Sequence, residues 1–215
     1  MADFRLRIGF AKTGAAVWLS HLEIVRALER CIRRSGLPYA ISQGFSPHLK
    51  HSFSAALPVG TGSTGEYMDV DIESLIPPEQ ALCALQAVQT KDLPILSAEY
   101  APKDEPSLQV YFNLASYCIV LDDANGATVS ELLKRLAERP EIEVIKKKKP
   151  KVYDLTLYVE QAWADDSDPH TLYVSLFSRP EGSLRPEVSL QALTEPERKP
   201  RILELTRTAL EHREL

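Results

Sequence analysis

Residues 18–57 read WLSHLEIVRALERCIRRSGLPYAISQGFSPHLKHSFSAAL, a segment that holds a helix with end signals, a row of arginines and a histidine-bearing turn. Ser20 and Glu23 have the spacing of a capping box, in which each side chain satisfies a backbone donor at the start of a helix. Gly36 is typical of a helix end, and Pro38 prevents the helix from continuing. The pattern therefore predicts one helix between these two signals.

This helix has two chemically different faces. At 100° per residue, one arc is apolar, which predicts burial against a sheet. That arc holds Ile24, Val25, Leu28, Cys31 and Ile32. The opposite arc, the arginine ridge, holds Arg26, Arg30, Arg33 and Arg34. Two interpretations stay open for the ridge: a solvated face, or an anion site, because the planar guanidinium fork matches phosphate and carboxylate.

The next segment, SQGFSPHLKH at 42–51, favours an anion site. Residues 1–60 carry eight Lys and Arg against three Asp and Glu, whereas residues 61–100 carry one against seven. A chain with net charge −5 therefore has a basic N-terminal part, which is typical of a phosphate-facing surface but not of a general polyanion binder. The candidate ligand-binding residues are Ser20, His21, Arg26, Arg30, Arg33, Arg34, Gly44, Phe45, Ser46, His48, Lys50 and His51.

Three segments carry a family resemblance: LSHLEIVRALERCIRRSGLP, SQGFSPHLKHSFSAALPVG and GEYMDVDI. Together they resemble the radical SAM-linked protein family, an uncharacterised bacterial domain encoded beside, or fused to, a radical SAM protein. The resemblance covers roughly residues 4–72, where SHL[DE] and GF[NS]PH are specific motifs, and is looser in SLRP at 183–186 and RTAL at 207–210. Leu49 stands where the family favours Pro, and Glu23 where it favours Asp. The resemblance implies a radical SAM protein as partner but no particular activity.

The cysteines exclude one enzyme class for this chain. A radical SAM cluster needs three cysteines spaced C-x3-C-x2-C, whereas Cys31, Cys83 and Cys118 are isolated. Isolated cysteines, two of them at apolar helix positions, are typical of buried, reduced thiols in a cytoplasmic protein. We therefore expect no cofactor and no metal. The absence of a complete catalytic constellation favours a non-enzymatic role without deciding it: an accessory or substrate-recognition module for a separate radical SAM enzyme, binding RNA or another phosphate-bearing ligand.

Two other functions stay open. The first is a metal-independent, ribonuclease-like hydrolase that uses His48 or His51, because imidazole transfers protons near neutral pH. The second is a protein–protein assembly module whose ridge docks an acidic patch. His48-x-x-His51 has the spacing of two metal ligands, but no further ligand completes a site. His21, in the first turn of the helix, is expected to fix the GFSPH turn beside it.

Alternation of apolar and polar residues defines the fold. Phe4–Phe10 and Glu66–Ile72 alternate with period two and predict half-buried strands. Further strands are predicted at 37–41, 52–57 and 93–98, and Pro77, Pro78 and Glu79 open a predicted second helix that runs to about Gln89. APKDEP at 101–106 marks a boundary, after which a similar element order recurs. We therefore predict an α+β fold: two ferredoxin-like (βαββαβ) units in tandem, residues 1–104 and 105–215, with antiparallel sheets and helices on one face.

Hydropathy predicts no membrane contact. No run approaches the eighteen or so apolar residues of a membrane span, and MADFRLRIGF lacks the features of a signal peptide. A cytoplasmic location is expected. The lysine run at 146–149 has two interpretations, a solvated strand edge or a second contact for a polyanion.

Overall fold

The computed structural model describes residues 4–122, 128–146, 149–194 and 200–214. It divides the chain into two units, Met1–Phe112 and Asn113–Leu215. The described residues form an α+β protein with mostly antiparallel strands and six helices. None of the helices in these ranges is long and apolar enough to cross a membrane.

The first unit is built on strand β1 (Phe4–Lys12), which the alternation of apolar and charged residues predicts. β1 pairs antiparallel with β3 (Gly62–Ile72) on one side and with β4 (Ile95–Ala101) on the other. The short strand β2 (His51–Phe53) pairs antiparallel with β3. The sheet order is therefore β4-β1-β3-β2.

Two helices complete the core of this unit: α1 (His21–Ser35), which follows a 3-10 helix at Gly14–Trp18, and α2 (Pro78–Gln86). Apolar residues of β1 and β3 are fully buried in one cluster with the apolar faces of both helices. The cluster includes Leu6, Ile8, Leu28, Ile32, Met68, Ile72 and Leu85. A single helical turn, α3 (Leu108–Tyr111), lies near the end of the unit.

The ends of α1 follow the predicted signals. The Glu23 carboxylate accepts hydrogen bonds from the Ser20 backbone N–H (2.8 Å) and the Ser20 hydroxyl (2.7 Å), and these bonds lower the pKa of Glu23. At the other end, Gly36 has a φ of 74°, in the left-handed region. The two termini of the helix are therefore fixed by local sequence.

Replacing Gly36 with alanine is expected to lower the free energy of unfolding by about 1–2 kcal/mol, the usual cost of left-handed backbone in a residue with a Cβ. No atom lies within 4 Å of the added Cβ, so the cost comes from the backbone alone. Gly44→Ala is the control, because its Cβ also meets nothing within 4 Å and its φ is not left-handed. Urea denaturation of both variants checks this, and equal losses would contradict it.

Residues 37–41 do not form the predicted strand. They make two isolated bridges, Tyr39 with Ile72 and Ile41 with Leu49. The reason is that their backbone is shared between two neighbours: the Ala40 N–H donates to Asp71 O, and Ala40 O accepts from Lys50 N–H. A segment whose hydrogen bonds are divided between two neighbours does not form a regular strand with either of them.

Strand β1 also binds the segment that the sequence marks as a connector. Arg5 donates to the carbonyl oxygens of Pro102, Lys103 and Glu105 at 3.1–3.3 Å. The first unit consequently extends to Phe112, whereas the sequence places the boundary between residues 104 and 105. Sequence composition marks the charged APKDEP segment but gives no sign of the side chains that bind it.

The second unit also has an antiparallel sheet. Its elements are β5 (Leu114–Asp122), α4 (Val129–Glu138), β6 (Glu141–Lys146), β7 (Lys149–Asp154), α5 (Leu155–Tyr158), β8 (Val159–Ala164), β9 (Thr171–Arg179), β10 (Gly182–Ser183), α6 (Pro186–Ala192) and β11 (Arg201–Glu211). The sheet order is β10-β9-β5-β11, and β8 also pairs with β9. β6 and β7 form a separate hairpin. Residues 147 and 148 of the lysine run lie outside the described residues.

Candidate functional site

The arginine ridge of α1 faces solvent. Arg26, Arg30, Arg33 and Arg34 are all exposed. Within the described part of the chain, none of these guanidinium groups makes a hydrogen bond or an ion pair within 4.0 Å. Their donors are therefore available to an external ligand.

The histidine-bearing loop is a closed hairpin. The Ile41–Leu49 bridge closes it, and the Ser42 N–H donates to His48 O at 2.8 Å. The Ser42 hydroxyl also lies 2.9 Å from His48 Nδ1, which orients the imidazole. Phe45 at the tip is fully exposed, although an aromatic ring normally packs. Its neighbours Gly44 and Ser46 are exposed as well.

His51 links β2 to α1 through an acid. Its Nε2 lies 3.0 Å from Glu29 Oε1. Glu29 lies one helical turn from both Arg26 and Arg33, so this contact sits beside the ridge. Helix α1 and the histidine-bearing segment therefore meet at a carboxylate rather than at a shared cluster of cations.

On its other side, the histidine-bearing segment lines a surface depression of about 400 Å³. His48, Lys50 and His51 line it together with residues from the sheet, not from the ridge. The sheet residues are Arg5, Asp69 and Asp71. Basic and acidic side chains both line this depression, and no ridge arginine is among its lining residues.

Two imidazoles flank one phenyl ring where α1 passes β2. The His21 ring centroid lies 5.4 Å from that of Phe53, and the His51 centroid lies 5.3 Å from it on an edge-to-face approach. His21 and Glu29 are eight residues apart on α1 and therefore lie on the same side of the helix. We call His21, Glu29, His51 and Phe53 the imidazole seam.

A narrow cleft of about 20 Å³, roughly the space of one water molecule, lies beside His21. Two charged side chains in its lining are buried, Lys12 at 3% exposed and Glu66 at 5%. Glu66 accepts from the hydroxyls of Ser63 (2.7 Å) and Ser54 (3.3 Å), and Lys12 Nζ donates to Pro58 O at 3.4 Å. Buried charges are typical of binding and catalytic sites, but a cleft of this volume admits no more than a water molecule.

Sequence reasoning missed Lys12 and Glu66 as site residues, although a signal exists. Lys12 continues the even-numbered face of β1 that holds Ile8 and Phe10. Glu66 has the same relation to Met68 in β3. A charge at a core-facing position of an alternating strand is unusual, and it marks these two residues.

The cleft changes the acid–base properties of His21. Burial lowers the pKa of its imidazole, and the positive charges of His51 and Lys12 act in the same direction. The Glu66 carboxylate raises the pKa but does not offset them. His21 is consequently neutral at pH 7 and able to accept a proton.

Metal binding and thiol chemistry can be considered for the residues that the structure describes. Among those residues, no group of three or more His, Cys, Asp or Glu is placed to hold a metal ion. The three cysteines are free, with Cys31 buried and Cys83 exposed on α2. Cys83 therefore differs from the buried position predicted from its apolar surroundings.

Comparison with known proteins gives a family and no activity. No curated protein matches this sequence. A family model described as an uncharacterised protein conserved in bacteria, DUF2344, matches residues 5–186. That match includes β1, the arginine ridge, the histidine-bearing loop and the imidazole seam. The chain therefore belongs to the DUF2344 family of bacterial proteins.

Proposed function

We propose that the first unit binds RNA through the arginine ridge and the histidine-bearing loop. The observation that carries this proposal is the exposure of four guanidinium groups without an internal partner among the described residues. A surface arginine that serves only solubility can pair with a neighbouring acid. Glu29 lies within one helical turn of Arg26 and Arg33, so such a pair is possible on this helix. Glu29 instead pairs with His51 and leaves the ridge available.

The histidine-bearing loop favours RNA over a simple anion as the ligand. An unpacked aromatic ring at a loop tip is suited to stack on a nucleobase, and unstacked bases are characteristic of single-stranded RNA. Phe45 is such a ring, with polar Ser46 and His48 close in sequence. The ridge would hold phosphates while the loop contacts bases.

We further propose that binding serves a partner enzyme. The resemblance of residues 4–72 to the radical SAM-linked family favours a radical SAM protein as that partner. In this proposal, the chain is an accessory module that recognises the substrate in the cytoplasm. The partner supplies the radical SAM cluster, because the isolated cysteines of this chain lack the spacing that such a cluster needs.

A protein–protein assembly module is the second candidate. Trp18, Leu22 and Val59 are exposed apolar side chains at the start of α1 and in the segment before β3. Trp18 is 71% exposed, which is unusual for a residue of its size. The partner enzyme should then copurify with this chain after nuclease treatment and with the Arg30→Ala variant. Loss of copurification with the Trp18→Ala variant would favour the assembly role.

We also infer that both units are ferredoxin-like. The support is the order of strands within each sheet. In the first unit the order is β4-β1-β3-β2 with a helix after the first and third strands. In the second unit the path β11-β5-β9-β8 has the same order once the β6–β7 hairpin is treated as an insertion. The split βαβ plan has this strand order, which supports the inference.

Arg30→Ala and Arg33→Ala test the binding proposal. Each is expected to weaken binding of a fluorescently labelled single-stranded RNA by roughly 3–10-fold at low salt, because each removes one phosphate contact. Fluorescence anisotropy measures this. Arg139→Ala is the matched control, since Arg139 is an exposed arginine in the second unit without a partner among the described residues. A wild-type protein that does not retain RNA at low salt would end the proposal.

A further inference from the structure

The surface depression beside the histidine-bearing loop lies on the face of the first sheet that is opposite to the core. Alternation along β3 directs Val70 into the buried cluster and directs Asp69 and Asp71 to the other face. Arg5 of β1 lies directly opposite Asp71, and Ser52 of β2 lies directly opposite Asp69. Residues directly opposite each other in an antiparallel pair share a face. Three neighbouring strands therefore present polar side chains to one depression.

Asp71 and Lys50 are neighbours in this depression but do not pair with each other. The Asp71 N–H donates to Lys50 O at 3.0 Å, which continues the pairing of β2 with β3 beyond His51. Among the described residues, neither the Asp71 carboxylate nor the Lys50 ammonium makes a hydrogen bond or an ion pair within 4.0 Å. Opposite charges on neighbouring strands can stabilise a sheet by pairing. Here both groups remain available to a ligand.

The neighbouring charged groups already have partners within the first unit. Arg5 donates to three carbonyl oxygens of the segment after β4 at 3.1–3.3 Å. The Asp69 carboxylate accepts from Arg7 at 2.9 and 3.1 Å. These contacts fix the walls of the depression, and they leave Asp71 and Lys50 as its available acid and base.

A ligand of this site must offer N–H donors to Asp71 and an acceptor to Lys50. A phosphate group has no N–H donor and is repelled by the carboxylates of Asp69 and Asp71. A simple cation is repelled by Lys50 and Arg5. Among the standard RNA bases, guanine alone has two adjacent N–H groups, N1–H and N2–H, beside a carbonyl oxygen, O6. In single-stranded RNA this edge is free to form hydrogen bonds with protein.

We propose that this depression, the polar depression, binds an unpaired guanine base of single-stranded RNA. The Asp71 carboxylate accepts from guanine N1–H and N2–H, and the Lys50 ammonium donates to O6. The depression holds about 400 Å³, and sites for small molecules usually hold about 300–1,000 Å³. His48 connects this site to the proposed RNA-binding surface, because it belongs to the histidine-bearing loop and also lines the depression.

The inference rests on the proposed RNA binding and adds a base preference to it. Phosphate contacts from the arginine ridge carry no sequence information. Stacking on Phe45 tolerates every base, because each base has a π-face. Paired hydrogen bonds to the edge of one base do discriminate. Asp71 is therefore the residue that we expect to determine specificity.

The test uses the full chain and four fluorescently labelled strands in anisotropy measurements. One strand is oligouridylate, and the others carry a single central guanosine, inosine or adenosine. The guanosine strand should bind roughly tenfold more tightly than oligouridylate, the usual effect of one paired base contact. Inosine lacks the N2 amino group and should lose most of this gain. Adenosine has neither N1–H nor O6 and should show no gain.

Asp71→Asn should bring the ratio of guanosine-strand to oligouridylate affinity to about one. A general change of charge affects both strands alike and does not alter this ratio. Lys50→Met should also lower the ratio, since it removes the donor to O6. Glu99→Gln is the matched control: Glu99 is an exposed acid opposite Arg7 on the same face of the sheet, and it does not line the depression. Its ratio should equal that of wild type, and thermal melts verify that all three variants are folded.

Equal affinity of wild type for the guanosine and adenosine strands would overturn the inference and leave the binding proposal standing. A guanosine preference that both Asp71→Asn and Lys50→Met retain would do the same. If the protein binds no RNA, the binding proposal fails, and free guanosine decides the role of the depression. Shifts of the backbone amide NMR signals of residues 50–52 and 71 with guanosine, but not with adenosine, would keep the guanine site. Absence of such shifts would overturn the inference as well.

Discussion

Replacing Arg7 with methionine is expected to lower the free energy of unfolding by about 3–5 kcal/mol, the usual result of removing one partner from a buried ion pair. Arg7 is only 4% exposed. Its Nε and Nη2 donate to the two carboxylate oxygens of Asp69 at 2.9 and 3.1 Å. Nη2 also lies 2.9 Å from Glu105 Oε2, and the guanidinium carbon lies 4.8 Å from the centre of the Tyr111 ring.

Methionine preserves the apolar volume of Arg7 but leaves two carboxylates without their main cation. Burial opposes the charge of Arg7, yet Asp69 and Glu105 more than offset it and raise the pKa of the guanidinium. The pair therefore persists across the pH range in which both acids are ionised. Loss of the cation should also free residues 102–112, because Glu105 and Tyr111 both contact Arg7.

Urea denaturation measures the effect, and Arg26→Met is the matched control. Arg26 is exposed without a partner among the described residues, so its replacement should change stability by about 0.5 kcal/mol or less. Arg7→Met combined with Asp69→Asn should recover part of the loss, since it removes one unpaired charge. Equal losses in the Arg7 and Arg26 variants would show that the buried network contributes no stability.

Elements set by local pattern could be predicted from the sequence. The period-two alternation of Phe4–Phe10 predicted the start of β1, which extends two residues further to Lys12. Ser20, Glu23 and Gly36 predicted both ends of α1. The conformation of residues 37–41 could not be predicted, because their hydrogen bonds are shared between Lys50 and Asp71 of β3, and Asp71 is distant in sequence. The extension of the first unit to Phe112 likewise depends on long-range bonds from Arg5 and Arg7.

The candidate site could be predicted only in part. Helical periodicity places the ridge on the exposed face of α1, as the structure shows. The contact between Glu29 and His51 could not be predicted, because it requires the position of β2 against the helix. Lys12 and Glu66 come from different strands, and only the antiparallel register of β1 and β3 brings them to one cleft.

Removing three ridge arginines together should have the largest effect on RNA binding. In Arg26→Ala/Arg30→Ala/Arg33→Ala, alanine maintains the helix, because it has the best helix propensity. For single-stranded RNA, each lost phosphate contact reduces the slope of log affinity against log salt by about 0.7, so the slope should fall by roughly 2. The Gly36 cap and the core face of α1 are unchanged, so circular dichroism should show a folded protein.

The control must remove the same charge elsewhere. Arg139→Ala/Arg185→Ala/Arg213→Ala changes three exposed arginines in the second unit and alters the net charge by the same amount. If binding reflected net charge alone, the two triple variants would behave alike. If the ridge binds RNA, only the ridge variant loses affinity.

The salt dependence of RNA affinity, measured by fluorescence anisotropy for wild type and both triple variants, tests the central claim most directly. We predict a steep slope for wild type, nearly the same slope for the second-unit variant, and a slope smaller by roughly 2 for the ridge variant. Equal slopes for all three proteins would contradict the assignment of the RNA-binding surface to the arginine ridge of α1.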